Sequence, residues 1–204
     1  MKINSNLLNF SNSYNLIITD FRKILEYVSL IEDNLKISSH RNFELFLRSC
    51  TEFENICKFL VKKFKLSDKS PDKFNIKDYK NLTEKYPALV DMEVGFYLWE
   101  GMKPFSIKPF EGSKIEDSLV WHKDYNNVKH NRMEYFKNTN LENLIYTISG
   151  VFVLLYKNYG NKFINPLSKT PYHHTAKTLK DGRTYILPMD SIFSITETFN
   201  YKCL

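Results

Sequence analysis

Between residues 121 and 132 the chain reads Trp-His-Lys-Asp-Tyr-Asn-Asn-Val-Lys-His-Asn-Arg, a run holding two histidines, three cations, three asparagines and two aromatics. At about 3.6 residues per helical turn, His122, Asn126 and His130 fall on one stripe, with Tyr125, Lys129 and Arg132 on the stripe beside it. Imidazoles beside amides and cations are suited to acid–base work on a phosphate. They are not suited to sharing a metal ion. Eight residues of helix span about 12 Å, whereas ligands sit near 2.1 Å from their ion. His173 and His174 have no acidic residue at ligand spacing nearby, so neither a metal nor another cofactor is expected. Cys50 and Cys57 lie at core spacing on an apolar helix face, and the six glycines are scattered rather than gathered into a phosphate loop. A cysteine nucleophile and a nucleotide-phosphate loop are therefore both unsupported.

Metal-independent cleavage of RNA needs a base for the 2′-hydroxyl, an acid for the leaving 5′-oxygen and positive charge for the phosphorane. His130, with Lys129 and Arg132, supplies those types. The internal 2′-hydroxyl nucleophile makes RNA, not DNA, the substrate of such a site. The string Tyr125-Asn126-Asn127-Val128-Lys129-His130 resembles the signature of the HEPN superfamily, in which an arginine, usually followed by a polar residue, precedes a histidine with four to six residues between them. Asn126 matches the polar position and His130 the histidine, while Tyr125 stands where the family has arginine. An acidic position on another helix, Glu52 or Glu54 here, belongs to the same resemblance.

The resemblance implies an all-helical bundle and a homodimer whose motif helices meet in one composite site. It further implies a metal-independent endoribonuclease acting in antiviral defence or as a toxin, with a partner protein of such a system. In that reading His130 is general base or acid, Arg132 and Lys129 stabilise the phosphate, and Asn126 positions His130 or the phosphate. Tyr125 donates a hydrogen bond or packs, and Glu52 and His122 support the site. Tyrosine carries no fixed charge and cannot replace a guanidinium fork. The alternative is thus a catalytically silent HEPN-like module that binds RNA, a nucleotide or a protein. Trp121, Tyr125 and Val128 also fit a core stripe, and His122 fits a helix histidine satisfied by its neighbours.

The elements that must position these residues are mainly helices. Apolar residues at helical spacing from Ile17 to Leu35 predict a helix over about 14–36, and those from Phe43 to Leu60 a second helix ending near Lys65, with Ser38, Ser39 or Asn42 as its cap. A short helix over 76–85 should stop before Pro87. Residues 92–115 read as an irregular or β-hairpin insert. The motif helix is expected from Glu116 or Ser118 to Phe136. A further helix should be capped by Thr139 or Asn140 and closed at Gly160. Asp181-Gly182 signals a turn in a C-terminal extension. The expected architecture is an all-α antiparallel bundle over residues 1–160, with residues 161–204 as an extension packed on it.

Composition sets the broad class. With 204 residues, 43% hydrophobic and 15% aromatic, the chain can bury a core and is not a disordered chain. A net charge of +6 favours an acidic partner such as RNA, although a general enrichment in lysine raises the pI without any such partner. Three cysteines, Cys50, Cys57 and Cys203, make neither a disulfide framework nor a zinc site. No signal-like run opens the sequence, and the longest apolar stretch, Leu141 to Tyr156, is interrupted by polar residues and too short to span a bilayer. A cytoplasmic protein without membrane contact is expected.

Overall fold

The computed structural model describes residues 4–96, 98–102, 105–111, 119–167, 174–178, 184–188 and 193–197. Among these, the helices are α1 (Ser5–Leu25), α2 (His40–Phe64), α3 (Ile76–Lys85), α4 (Val120–His130), α5 (Arg132–Tyr135) and α6 (Leu141–Tyr159). Five short strands join them: β1 (Glu93–Phe96), β2 (Ser106–Ile107), β3 (His174–Thr178), β4 (Thr184–Pro188) and β5 (Phe193–Glu197). The chain is mostly helical, as its periodicity predicts.

Local side-chain chemistry sets the helix ends. Ser39 Oγ accepts from the Asn42 amide at 3.0 Å at the start of α2, and Asn140 Oδ1 accepts from the Asn143 amide at 2.9 Å at the start of α6. Asn75 and Asp78 form a reciprocal capping box on α3, which ends ahead of Pro87 as expected. Gly160 closes α6 at φ 58°. The first helix departs from expectation at both ends. Asn4 Oδ1 accepts from the amides of Asn6 and Leu7, so α1 begins well before Tyr14. It stops at Leu25 because polar side chains then hold turns of their own, with Asn34 Nδ2 donating to the Ser29 carbonyl at 2.9 Å.

Contacts between the helices fix their directions. Asp20 meets Arg48 at 2.5 Å and Phe10 meets Phe59, so α1 runs antiparallel to α2. Cys50 Sγ lies 3.7 Å from Thr147 Oγ1, and Lys63 Nζ donates to Asn158 Oδ1 at 2.7 Å, so α6 runs parallel to α2. Trp121 packs on Phe53 and Tyr125 on Phe46, which makes α4 antiparallel to both. Helix α6 is buried at nearly every position from Leu144 to Leu155. That central placement accounts for its almost continuous apolar run, and no helix among the described residues is long and apolar enough to cross a membrane.

The insert and the C-terminal extension combine into one sheet of order β2-β1-β5-β4-β3, antiparallel throughout. The sequence reading expects two separate small features here. Instead β5 inserts between β1 and β4, with Val94 opposite Ile195. Phe193 anchors the sheet to the bundle through Phe152 of α6, 5.2 Å between ring centres, and packs within the sheet on Phe96 of β1 at 4.9 Å. The expected Asp181-Gly182 turn lies outside the described residues, as do His173 and Cys203, and the side chain of His174 is likewise not described.

Candidate functional site

Helix α4 is seated by large aromatic contacts. The Trp121 ring stands edge-on to Phe53 at 4.8 Å, and its Nε1 donates to the Pro109 carbonyl at 3.1 Å. Gly150 of α6 makes room for it, since a Cβ there would come within 3.3 Å of the indole. This close approach has no signal in the sequence, because it depends on how α4 packs against α6. At the other side Asp124 accepts from Asn138 at 2.6 Å and from Asn143 at 2.8 Å, tying α4 to the start of α6.

The expected helix to Phe136 is broken, and the break falls inside the motif. His130 is the last residue of α4. Asn131 leaves helical geometry at φ −143° and ψ 78°, and its side chain caps α5 by accepting from the Glu134 amide while donating to Glu134 Oε2 at 2.8 Å. Asparagine favours such caps over helix interiors. Arg132 therefore opens a new helix instead of continuing the Tyr125–Lys129 stripe.

The motif residues consequently separate into an inner and an outer group. The inner group centres on His122, only 3% exposed. Its Nε2 lies 3.3 Å from Glu54 Oε1 and its Nδ1 lies 3.4 Å from Asn126 Nδ2. The imidazole is held between the two side chains, with Nε2–H donating to the Glu54 carboxylate. The bond to His122 holds the Glu54 carboxyl below its ordinary range against the opposing effect of burial, and the charges of Lys129 and Lys58 add to it. Tyr125 is 4% exposed. Its ring packs edge-on to Phe46 at 6.4 Å, and Lys129 Nζ lies 5.4 Å from its ring centre.

This grouping places three of the expected site residues. Asn126 bonds to His122, not to His130. Tyr125 is a core residue and faces no open phosphate site. The acidic residue that reaches α4 is Glu54, while Glu52 faces α1 and bonds to Ser13 and Asn55, with burial raising its carboxyl above the ordinary range.

The outer group is exposed. His130 has no hydrogen bond or ring contact among the described residues, and its side chain is open to solvent. Arg132 Nη2 donates to His40 Nδ1 at 2.8 Å, and its guanidinium lies 4.4 Å above Phe43 and 5.9 Å from Phe136. Both His40 and Phe43 belong to the first turn of α2, which holds no acidic residue. The positive end of the α2 dipole, Arg132 and His40 thus meet at the same end of the bundle as His130, an arrangement suited to an anion. Sequence reading misses His40, because only the fold brings it to Arg132.

Elsewhere, a cleft of about 700 Å³ opens between α1 and the opposite face of α2. Its charges neutralise one another, Asp20 with Arg48 and Lys23, and Arg41 with Glu44. No group of three or more histidine, cysteine, aspartate or glutamate residues able to hold a metal occurs among the described residues. Neither a family model, nor a curated protein, nor a solved structure matches the chain.

Proposed function

We propose that the chain is a HEPN-like, metal-independent endoribonuclease in which His130 and Arg132 form the reactive surface. The observation that carries this reading is the placement of an exposed His130 two residues from a guanidinium fixed by His40 and Phe43 at the α2 N-terminus. A bound phosphodiester would accept hydrogen bonds from Arg132, and His130 would take the 2′-hydroxyl proton or return one to the 5′-oxygen. One chain offers a single motif histidine at this end, so the second acid–base role falls to His130 of another copy in a homodimer. Met133, 91% exposed beside Arg132, provides an apolar contact for that pairing. The cytoplasm is the natural compartment for such an enzyme.

Pure protein is incubated with labelled total RNA in EDTA, with His130→Ala in parallel. The reading expects cleavage by the wild type and its loss in the variant. No cleavage, or equal cleavage by both, overturns it. A second reading has its own observation: Tyr125, at the family's arginine position, is buried against Phe46. This favours a silent HEPN-like module that binds RNA, a nucleotide or a partner protein without cutting. Such a module would express without harm to its host, whereas the active enzyme would arrest growth unless held by a partner.

A further inference from the structure

The positive charge of this chain is not spread along it. Residues 55–85 contain nine lysines, no arginine and four acidic residues, and so carry +5 of the net +6. The rest of the sequence is almost balanced. A general compositional bias toward lysine would enrich every segment alike, so this concentration needs a local cause. The segment comprises the C-terminal part of α2, the turn at Pro71–Lys73 and α3. It lies at the opposite end of α2 from His40 and Arg132.

Four of these nine lysines have an internal partner. Lys69 pairs with Asp78 at 3.0 Å. Lys63 donates to Asn158 and lies 5.1 Å from the Phe64 ring centre, with Lys85 5.2 Å from the same ring. Lys58 is within the field of Glu54. Lys62, Lys65, Lys73 and Lys77 are exposed and form no ion pair among the described residues. The last turn of α2 favours cations, which accounts for Lys62. The same physics opposes Lys77 in the first turn of α3 and gives no reason for Lys73 just before it. Lys65 occupies a left-handed position, φ 53°, where glycine or asparagine is the easier residue. Like charges this dense repel one another, so the fold gains nothing from Lys65, Lys73 and Lys77.

We infer that the α2–α3 end is a docking surface for the phosphodiester backbone of double-stranded nucleic acid. Lysine ammoniums are point charges that neutralise phosphates without reading bases. The aromatics of this segment, Phe59, Phe64, Phe74 and Tyr79, are buried or half-buried, so no platform is offered for unstacked bases. None of the exposed large apolar residues lies within it, which leaves a lipid bilayer without an insertion anchor. The inference rests on this charge distribution and does not require cleavage at His130.

The test measures equilibrium binding in EDTA of labelled RNA and DNA duplexes of one sequence, over a range of salt, with vesicles of anionic lipid as a third arm. The proteins are the full chain, a variant with Lys62, Lys65, Lys73 and Lys77 changed to alanine, and one with the same four changed to arginine. The surface predicts that both duplexes bind the wild type and that the alanine variant loses more than about tenfold in affinity at low salt. Its log–log salt slope should fall by about 3 to 4, roughly one per lost contact. The arginine variant should bind like the wild type, and all three proteins should melt cooperatively. Unchanged binding by the alanine variant, binding of vesicles but of neither duplex, or no binding to any of the three overturns the inference. A chain that binds both duplexes through these lysines yet cuts no RNA leaves it standing while sinking the nuclease reading.

Discussion

Removing the Glu54–His122 hydrogen bond should destabilise the fold without abolishing chemistry at His130. Glu54→Ala leaves the Nε2–H of an imidazole that is 3% exposed without its acceptor, and an unsatisfied buried donor costs about 1–3 kcal/mol. The lower half of that range applies here. The bond is 3.3 Å long and the Glu54 side chain is 22% exposed, so water partly replaces the lost partner. His122→Ala removes the same bond and also the ring packed against Tyr125 at 5.6 Å and Phe53 at 6.3 Å, for about 2–4 kcal/mol. A double-mutant cycle in guanidinium chloride should return a coupling near 1 kcal/mol at pH 7. Because Glu54 is held below its ordinary value of 4.5, that coupling is present above this pH and fades as pH falls through the lowered folded value. Zero coupling at neutral pH would refute the pairing. RNA cleavage by folded His122→Ala that is as low as that of His130→Ala would refute the division between the two histidines.

Other substitutions probe the same account. Tyr125→Arg, which restores the family's motif residue, buries a guanidinium against Phe46 and should destabilise by more than about 3 kcal/mol, a fall in Tm of at least roughly 6 °C for a chain of this size. An unchanged Tm would show that the position can open to solvent. Lys65→Gly relieves the left-handed strain at φ 53° and should raise stability by about 1 kcal/mol in denaturant titration. Glu52→Gln should stabilise at pH 7 by less than about 1 kcal/mol. Burial raises this carboxyl, so its ionisation opposes folding as pH climbs through the raised folded value, and the advantage of the variant should vanish below about pH 4.5 in melts across pH.

Much of the helical frame is legible in the sequence because capping chemistry and apolar spacing agree there. Ser39, the 76–85 helix, Asn140 and Gly160 all stand where those rules place them. The end of α1 is not legible, because the apolar spacing of Val28, Ile31 and Leu35 continues beyond the point where Asn34 and Ser29 fold the backbone into turns. Nor is the single sheet, whose β1–β5 pairing joins residues about a hundred positions apart. Within the motif, spacing finds the stripe of His122, Asn126 and His130 but treats Asn131 as one more helical residue. The cap that Asn131 builds on α5 sends Arg132 to His40. That turn, together with the choice of Glu54 over Glu52, depends on which helix faces which. Only the packed bundle specifies it.

The chemistry of the cut ends tests the central claim most directly. An RNA cleaved in EDTA is compared with the same RNA carrying a 2′-O-methyl group at the cleaved nucleotide, and the product termini are identified by mass. The account predicts a 2′,3′-cyclic phosphate and a 5′-hydroxyl from the first substrate and no cut at that nucleotide in the second. Unimpeded cutting of the methylated RNA, a 3′-hydroxyl product, or an intact first substrate would contradict it.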